Sequence, residues 1–334
     1  MCMTFKLPEA RDGTIVAARS MEFPVGMPTQ LAVLPADYAG TSSVGDGSRP
    51  NTWTASHGVV GMGVFGRPNW LVDGINTAGV SAHLLYMPGG YCTYRAARGD
   101  GSDVSQVDLA AYLLGTCTSI DEVKAAVAEI NVIGIDPGMG FVPPVHCLIH
   151  DTTGSVAIEL HPELTRVVDN PVGIATNAPF LDWHLINLRN YLGMSAENPS
   201  AEVVGGLTLS PLGQGEGLRG VPADYTPTAR FARLFSVLRL LERASDAEAA
   251  ELLALHVCNA FDIPQGAIKE RVGDSLVAEV TVWDSVLNLS IPRYAYRMSG
   301  NPETYVVDLG SVDFEKPERL QELRAEGSFT PIEV

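Results

Sequence analysis

Charge is scarce in this chain. Only 18% of its 334 residues are Asp, Glu, Lys or Arg, and 22 basic residues stand against 39 acidic ones, a formal net charge of −17. Nucleic acid and anionic membrane surfaces are bound through clustered Lys and Arg, so neither is expected as a partner. Global charge says little about a small anionic substrate, which responds to a local pocket. No apolar run approaches the length of a membrane span, and no basic segment leading into an apolar stretch precedes residue 2. The expected location is therefore the cytoplasm. Five cysteines (Cys2, Cys92, Cys117, Cys147 and Cys258) lie far apart without a C-x-x-C pair. That scatter fits reduced thiols rather than a disulfide framework. The seven histidines include no H-E-x-x-H. His146 and His150 share a face of one strand-like run but form no ligand cluster, so neither a metal nor a cofactor is expected.

Apolar residues, by contrast, make up 46% of the chain, enough for a substantial core. No linker, low-complexity tract or internal repeat interrupts the sequence, which reads as a single domain over 1–334. Strand-like runs fall at 14–19, 30–35, 58–65 and 79–86, and helical spacing follows at 104–115 and 120–130. Ser119 or Asp121 can cap the second of these helices. Strands resume at 146–151 and 154–160 around the turn-forming Asp151-Thr152-Thr153-Gly154. Helical spacing returns at 180–192, 229–243 and 246–257, and β-rich segments close the chain at 275–289 and 303–309. This order fits an α+β fold, two sheets between helical layers. The Gly-rich stretch 204–220 is the expected mobile loop.

Chemistry is concentrated at the amino terminus. Removal of Met1 would leave Cys2 with a thiol and a free α-amine on one residue. An α-amine has an ordinary pKa of about 7.7–8.0, so near neutrality it can serve as the base for its own thiol. Met-Cys is also an ordinary start, and position alone does not decide. Phe5 leads through the turn Arg11-Asp12-Gly13 into Thr14-Ile15-Val16-Ala17-Ala18, which ends at Arg19-Ser20-Met21-Glu22-Phe23. Read as an antiparallel hairpin, this brings Arg19 and Glu22 back beside Cys2. A cation there favours a thiolate, and a carboxylate can hold the amine. A local ion pair at a strand end explains the same two residues.

Four ordered segments carry a resemblance. Met1-Cys2 with Arg19-Ser20-Met21-Glu22 comes first, then Asp73-Gly74-Ile75-Asn76-Thr77-Ala78-Gly79-Val80. Thr176-Asn177-Ala178-Pro179-Phe180 with Trp183-His184 follows, then Pro222-Ala223-Asp224-Tyr225-Thr226-Pro227-Thr228-Ala229-Arg230-Phe231. Together they resemble the choloylglycine hydrolases, amino-terminal-nucleophile (Ntn) enzymes that include bile salt hydrolases and penicillin V acylases. The resemblance implies a four-layer αββα sandwich of two mainly antiparallel sheets. It implies Cys2, Arg19, Glu22, Asn177 and Arg230 as the catalytic set. Asn177 and the backbone N–H of Tyr86 would form the oxyanion hole, and Phe23, Phe65, Tyr86 and Met87 would line the acyl pocket. Glu22 stands where the family usually has Asp. An aromatic at Tyr86, where bile salt hydrolases usually have Asn, points toward the penicillin V acylase branch. Some relatives cleave long-chain N-acyl homoserine lactones, and some are exported, in which case a starting Met can replace a leader. A homotetramer is the assembly the resemblance implies, and a small acyl amide is the partner. Two other classes stay open: a lapsed homologue that binds an acyl amide uncleaved, which Glu22 allows, and a scaffold protein with a coincidental Cys2.

Overall fold

Strand Cys2–Lys6 lies antiparallel to Val16–Pro24, with Cys2 opposite Met21 and Thr4 opposite Arg19. The turn at Arg11-Asp12-Gly13 makes this possible: Gly13 takes a φ of 91°, open to glycine at no steric cost. The computed structural model describes residues 1–24, 27–45, 47–161, 165–272 and 274–327. The hairpin sits inside a sheet ordered Ile174–Ala175, Cys2–Lys6, Val16–Pro24, Ser275–Asn288, Arg293–Met298 and Tyr305–Asp308, with Ile268–Val272 also paired to Ser275–Asn288. A second sheet runs Arg166–Asp169, Ser155–Glu159, Val145–His150, Ser81–Tyr86, Arg67–Asn76, Val59–Val64, Thr29–Leu34 and Arg319–Gln321. Neighbours in both sheets pair antiparallel.

Strand alternation explains how both faces of the second sheet become buried. In Val145–His150, Leu148 joins the core between the sheets, while Cys147 and Ile149 point the other way, into the core beneath α1 (Leu109–Thr116) and α2 (Ile120–Glu129). The first sheet is covered by α4 (Pro227–Leu238) and α5 (Ala247–Asn259), with α3 (Leu181–Asn187) against α4. The expected αββα sandwich is thus realised. Ser119 caps α2, its hydroxyl accepting from Glu122 N at 3.3 Å. Gly79, with φ 83°, closes the turn after Asn76, and a Cβ there would lie 2.2 Å from the carbonyl oxygen of Leu289.

Several expectations need correction. The span 104–115 is not one helix: Asp103–Ser105 is a buried strand parallel to Asn131–Ile133, and the helix begins at Leu109. Asp108 divides them, its carboxylate accepting from Ser43 N at 2.7 Å, Ser105 Oγ at 2.6 Å and Asn69 Nδ2 at 2.6 Å. Strands Arg293–Met298 and Arg67–Asn76 were not among the expected strands. Within 204–220 the chain forms a short exposed hairpin (Glu202–Val204 with Leu207–Leu209) and a single 3-10 turn, Glu216–Leu218.

Candidate active site

Cys2 opens the inner edge of the hairpin, and Arg19 reaches it from the partner strand. The guanidinium has no exposed surface, and its Nη2 lies 3.6 Å from Cys2 Sγ and 3.4 Å from Met21 Sδ. Nη1 donates to the carbonyl of Val72, and the group stacks over Trp283, 5.1 Å from the ring centroid. A buried cation needs a counter-charge, and Asp73 supplies it, with Oδ1 at 3.9 Å from Nη1. Asp73 also accepts from Ser285 Oγ at 2.5 Å, Tyr294 Oη at 2.7 Å and the ring of His83. Burial pushes the Asp73 carboxyl up, but His83, Arg19 and Ser285 together outweigh it and hold it below the usual carboxylate range.

The second arginine comes from a helix start. Thr226 caps α4, Pro227 follows, and Arg230 projects inward from the first turn, 1% exposed. Its Nη1 donates to the carbonyl of Cys2 at 2.7 Å, its Nη2 to Asn177 Oδ1 at 2.5 Å and its Nε to the carbonyl of Tyr225 at 3.1 Å. The same Oδ1 accepts from the backbone N–H of Cys2 at 3.2 Å. With its oxygen so engaged, the Asn177 amide must direct Nδ2 outward, and Nδ2 donates to the carbonyl of Tyr86 at 2.5 Å. One of its two hydrogens remains for another acceptor.

Tyr86 stands at the end of strand Ser81–Tyr86. Met87 N donates to Pro144 O at 2.8 Å. By the alternation of an antiparallel ladder, the N–H and C=O of Tyr86 therefore point to the opposite edge. There the pairing with Arg67–Asn76 ends at Asp73 and His83, leaving that edge open beside Asn177. Two buried histidines support this segment from beneath. His146 Nε2 donates to the carbonyl of Thr176 at 3.1 Å and His184 Nε2 to that of Asn177 at 3.4 Å. Burial pulls both imidazoles down to about 4, so both are neutral donors at pH 7.

Glu22 is buried at 1% exposure. Its Oε1 lies 3.4 Å from Thr281 Oγ1, while Oε2 has no hydrogen-bond partner among the described residues. Burial pushes its carboxyl up, against the pull of Arg230, the terminal ammonium, Ser20 and Arg19. The ammonium itself, on Met1, donates not to that carboxylate but to Glu279 Oε1 at 2.7 Å and to the carbonyl of Glu22 at 2.8 Å. Glu279 was not among the expected site residues. The signal was present as the single charge in the apolar run Leu276-Val277-Ala278-Glu279-Val280-Thr281-Val282-Trp283.

Beyond Cys2 the space between the sheets opens into a cavity of about 680 Å³, mouth included. Its walls are almost wholly apolar, among them Phe23, Phe65, Trp70, Tyr86, Val107 and Phe141. Phe23, Phe65 and Tyr86, named above for the acyl pocket, are among its lining residues. Met87 is not among them: it follows the last residue of strand Ser81–Tyr86 and lies buried in the core under α1. Among the described residues no group of three His, Cys, Asp or Glu side chains could hold a metal ion, and no helix is long and apolar enough to cross a membrane.

The chain belongs to the choloylglycine hydrolase family of linear amide C–N hydrolases, whose profile matches residues 2–321. It is an enzyme of that class. Among curated proteins it is 28% identical to the bile salt hydrolase/transferase of Clostridium perfringens over 315 residues, 92% of each chain. It is 27% identical to the bile salt hydrolase/transferase of Lactiplantibacillus plantarum, over 78% of this chain and 80% of that one. In fold it matches a mutant conjugated bile acid hydrolase from Clostridium perfringens with a TM-score of 0.87 at 24% identity, covering 100% of both chains. It matches the penicillin V acylase of Agrobacterium tumefaciens with a TM-score of 0.76 at 18% identity, covering 98% of this chain and 95% of that one.

Proposed function

We propose that this enzyme hydrolyses linear amides of apolar, and above all aromatic, acyl groups, with Cys2 as nucleophile once Met1 is removed. The Cys2 thiol gives its proton to the α-amine of the same residue, and sulfur attacks the amide carbonyl carbon. The developing oxyanion takes hydrogen bonds from the free hydrogen of Asn177 Nδ2 and from the Tyr86 N–H. The α-amine then passes its proton to the leaving nitrogen, the C–N bond breaks and a thioester remains. Water attacks the thioester carbonyl, its proton passes by way of the α-amine to the departing sulfur, and the acid is released. Amide and water become acid and amine. Arg19 is the counter-charge for the thiolate, and Arg230 fixes the Cys2 carbonyl and the Asn177 amide. Glu22, with its unpartnered Oε2, is the acceptor for the α-amine of processed Cys2.

The observation that carries the reading is a thiol 3.6 Å from a fully buried guanidinium, opening on an apolar cavity. Aromatic walls (Phe23, Phe65, Tyr86) favour a penicillin V-like acyl group, which can stack on them. The similarity to curated bile salt hydrolases favours a conjugated bile acid as the alternative substrate. The test is amine release from penicillin V, glycocholate, taurocholate and a long-chain N-acyl homoserine lactone, comparing the processed enzyme with Cys2→Ala. Release that depends on Cys2 and is fastest with penicillin V is expected. Full release by Cys2→Ala would end the nucleophile assignment, and faster cleavage of either bile salt would move the substrate to that branch.

A further inference from the structure

The terminal ammonium of Met1 shows what the space beside Cys2 can bind. It is held by the Glu279 carboxylate at 2.7 Å and the Glu22 carbonyl at 2.8 Å, one residue from the nucleophile. The Met1 and Glu279 side chains retain only 18% and 10% of their exposure, so this pairing is largely removed from water. Glu279 and Glu22 lie on neighbouring strands, opposite Pro24 and Thr281 respectively, while the unpartnered Oε2 of Glu22 is left for the α-amine of Cys2. Loss of Met1 removes the cation and leaves its cradle, the Glu279 carboxylate and the Glu22 carbonyl.

Neighbouring charges agree. Arg19 is committed to Asp73, Val72 and the two sulfurs, and Arg230 to three oxygen acceptors. Burial, then the charges of Glu270 and Glu279, push the Tyr86 hydroxyl up. The acyl cavity itself is apolar, so a charged substrate group is better satisfied on the amine side of the scissile bond.

Resting on the proposed hydrolase reading, we infer that the space left by Met1 is the leaving-amine subsite, and that Glu279 there selects amides whose amine half carries a positive charge. The substrate class is then an N-acylated diamine or similar aminoalkyl amide. The amine halves of penicillin V and of the two bile salts carry an anion and would meet like charge there, so penicillin V, favoured among those amides by its aromatic acyl group, should still fall behind an aminoalkyl amide.

The experiment uses one acyl group, phenoxyacetyl, on three amines of similar size: ethylenediamine (cationic at its free end), ethylamine (neutral) and glycine (anionic). The processed enzyme should cleave them in that order. The cationic amide should exceed the neutral one in kcat/KM by about tenfold or more, the scale of a hydrogen bond to a charged group. In Glu279→Gln that ratio should fall toward one, and in Glu279→Lys the glycine conjugate should lead. Equal cleavage of all three, or a lead for the anionic amide in the unaltered enzyme, would overturn the inference. So would an equal fall for all three in Glu279→Gln, which would place Glu279 on the α-amine of Cys2 itself. Cleavage of none would sink the hydrolase reading, and the charge preference would then be read from binding of the three amides, where equal affinities refute it.

Discussion

Arg19 is fully buried, and its guanidinium meets a carbonyl, a carboxylate, an aromatic face and two sulfurs, while Nε has no hydrogen-bond partner among the described residues. Replacing it by Lys keeps the charge but loses the planar fork that reaches Val72, Asp73 and Cys2 together. We expect Arg19→Lys to lower kcat/KM by about 100-fold, the cost of misplacing a reacting group by about an ångström. A change below threefold in steady-state kinetics would contradict that role. Asn177 is a sharper case, because its oxygen is fixed by Arg230 and by the Cys2 N–H and its nitrogen is thereby aimed. Asn177→Ala should reduce kcat by about 100- to 1,000-fold with little change in KM, as loss of an oxyanion donor does. A rise in KM alone would make Asn177 a binding residue instead. The residues that gather around Cys2 were legible from sequence as candidates because they fall in four ordered segments. Glu279 was not, since a single charge in an apolar run gains meaning only once the opposing strand is known.

At the scale of elements, the segment Ile174 to Pro179 is held by His146 from a strand and His184 from a helix, for neither of which the sequence suggested that role. Both have pKa values pulled to about 4 from an ordinary 6.5 by burial. Groups depressed on folding contribute stability that is whole above about 6.5 and is lost as pH falls toward 4. Each contributes roughly 3 kcal/mol over that window, since every tenfold loss of proton affinity on folding is worth about 1.4 kcal/mol. Thermal unfolding should therefore show Tm falling between pH 6.5 and pH 4, with a shallower slope in His184→Gln. Equal slopes in both proteins would contradict the assignment. At the mouth of the acyl pocket, Phe65 takes a φ of 55° and Gly66 one of 68° in the turn joining Val59–Val64 to Arg67–Asn76. A non-glycine residue there costs of order 1 kcal/mol, which its edge-on packing against Trp70 helps to offset. Phe65→Asn suits the turn better and opens the pocket, so KM for a phenoxyacetyl amide should rise several-fold while Tm holds or increases. An unchanged KM would remove Phe65 from the acyl site. Met87, one residue beyond Tyr86, shows why sequence neighbours are poor guides at a strand end: the chain leaves the strand there and Met87 enters the core under α1.

At the scale of the molecule, the alternation of strands and helices along the chain sufficed to suggest two sheets between helical layers. The boundaries that went astray did so for tertiary reasons. Asp103–Ser105 is a strand because Asn131–Ile133 lies beside it, and helical spacing from Val104 onward could not register a partner so far along the chain. Arg293–Met298, bounded by two arginines, is likewise held by strands on both sides. What the fold achieves is to place the amino terminus against the middle of the chain, so that residues 2, 19, 177 and 230 converge. The claim that this convergence serves an acyl transfer to Cys2 can be tested in one measurement. The enzyme would be quenched in acid during turnover of penicillin V, digested, and its amino-terminal peptide weighed. The account predicts a peptide beginning at Cys2 and heavier by the phenoxyacetyl group. Active enzyme whose peptide retains Met1, or which carries the acyl group on another residue, would contradict it.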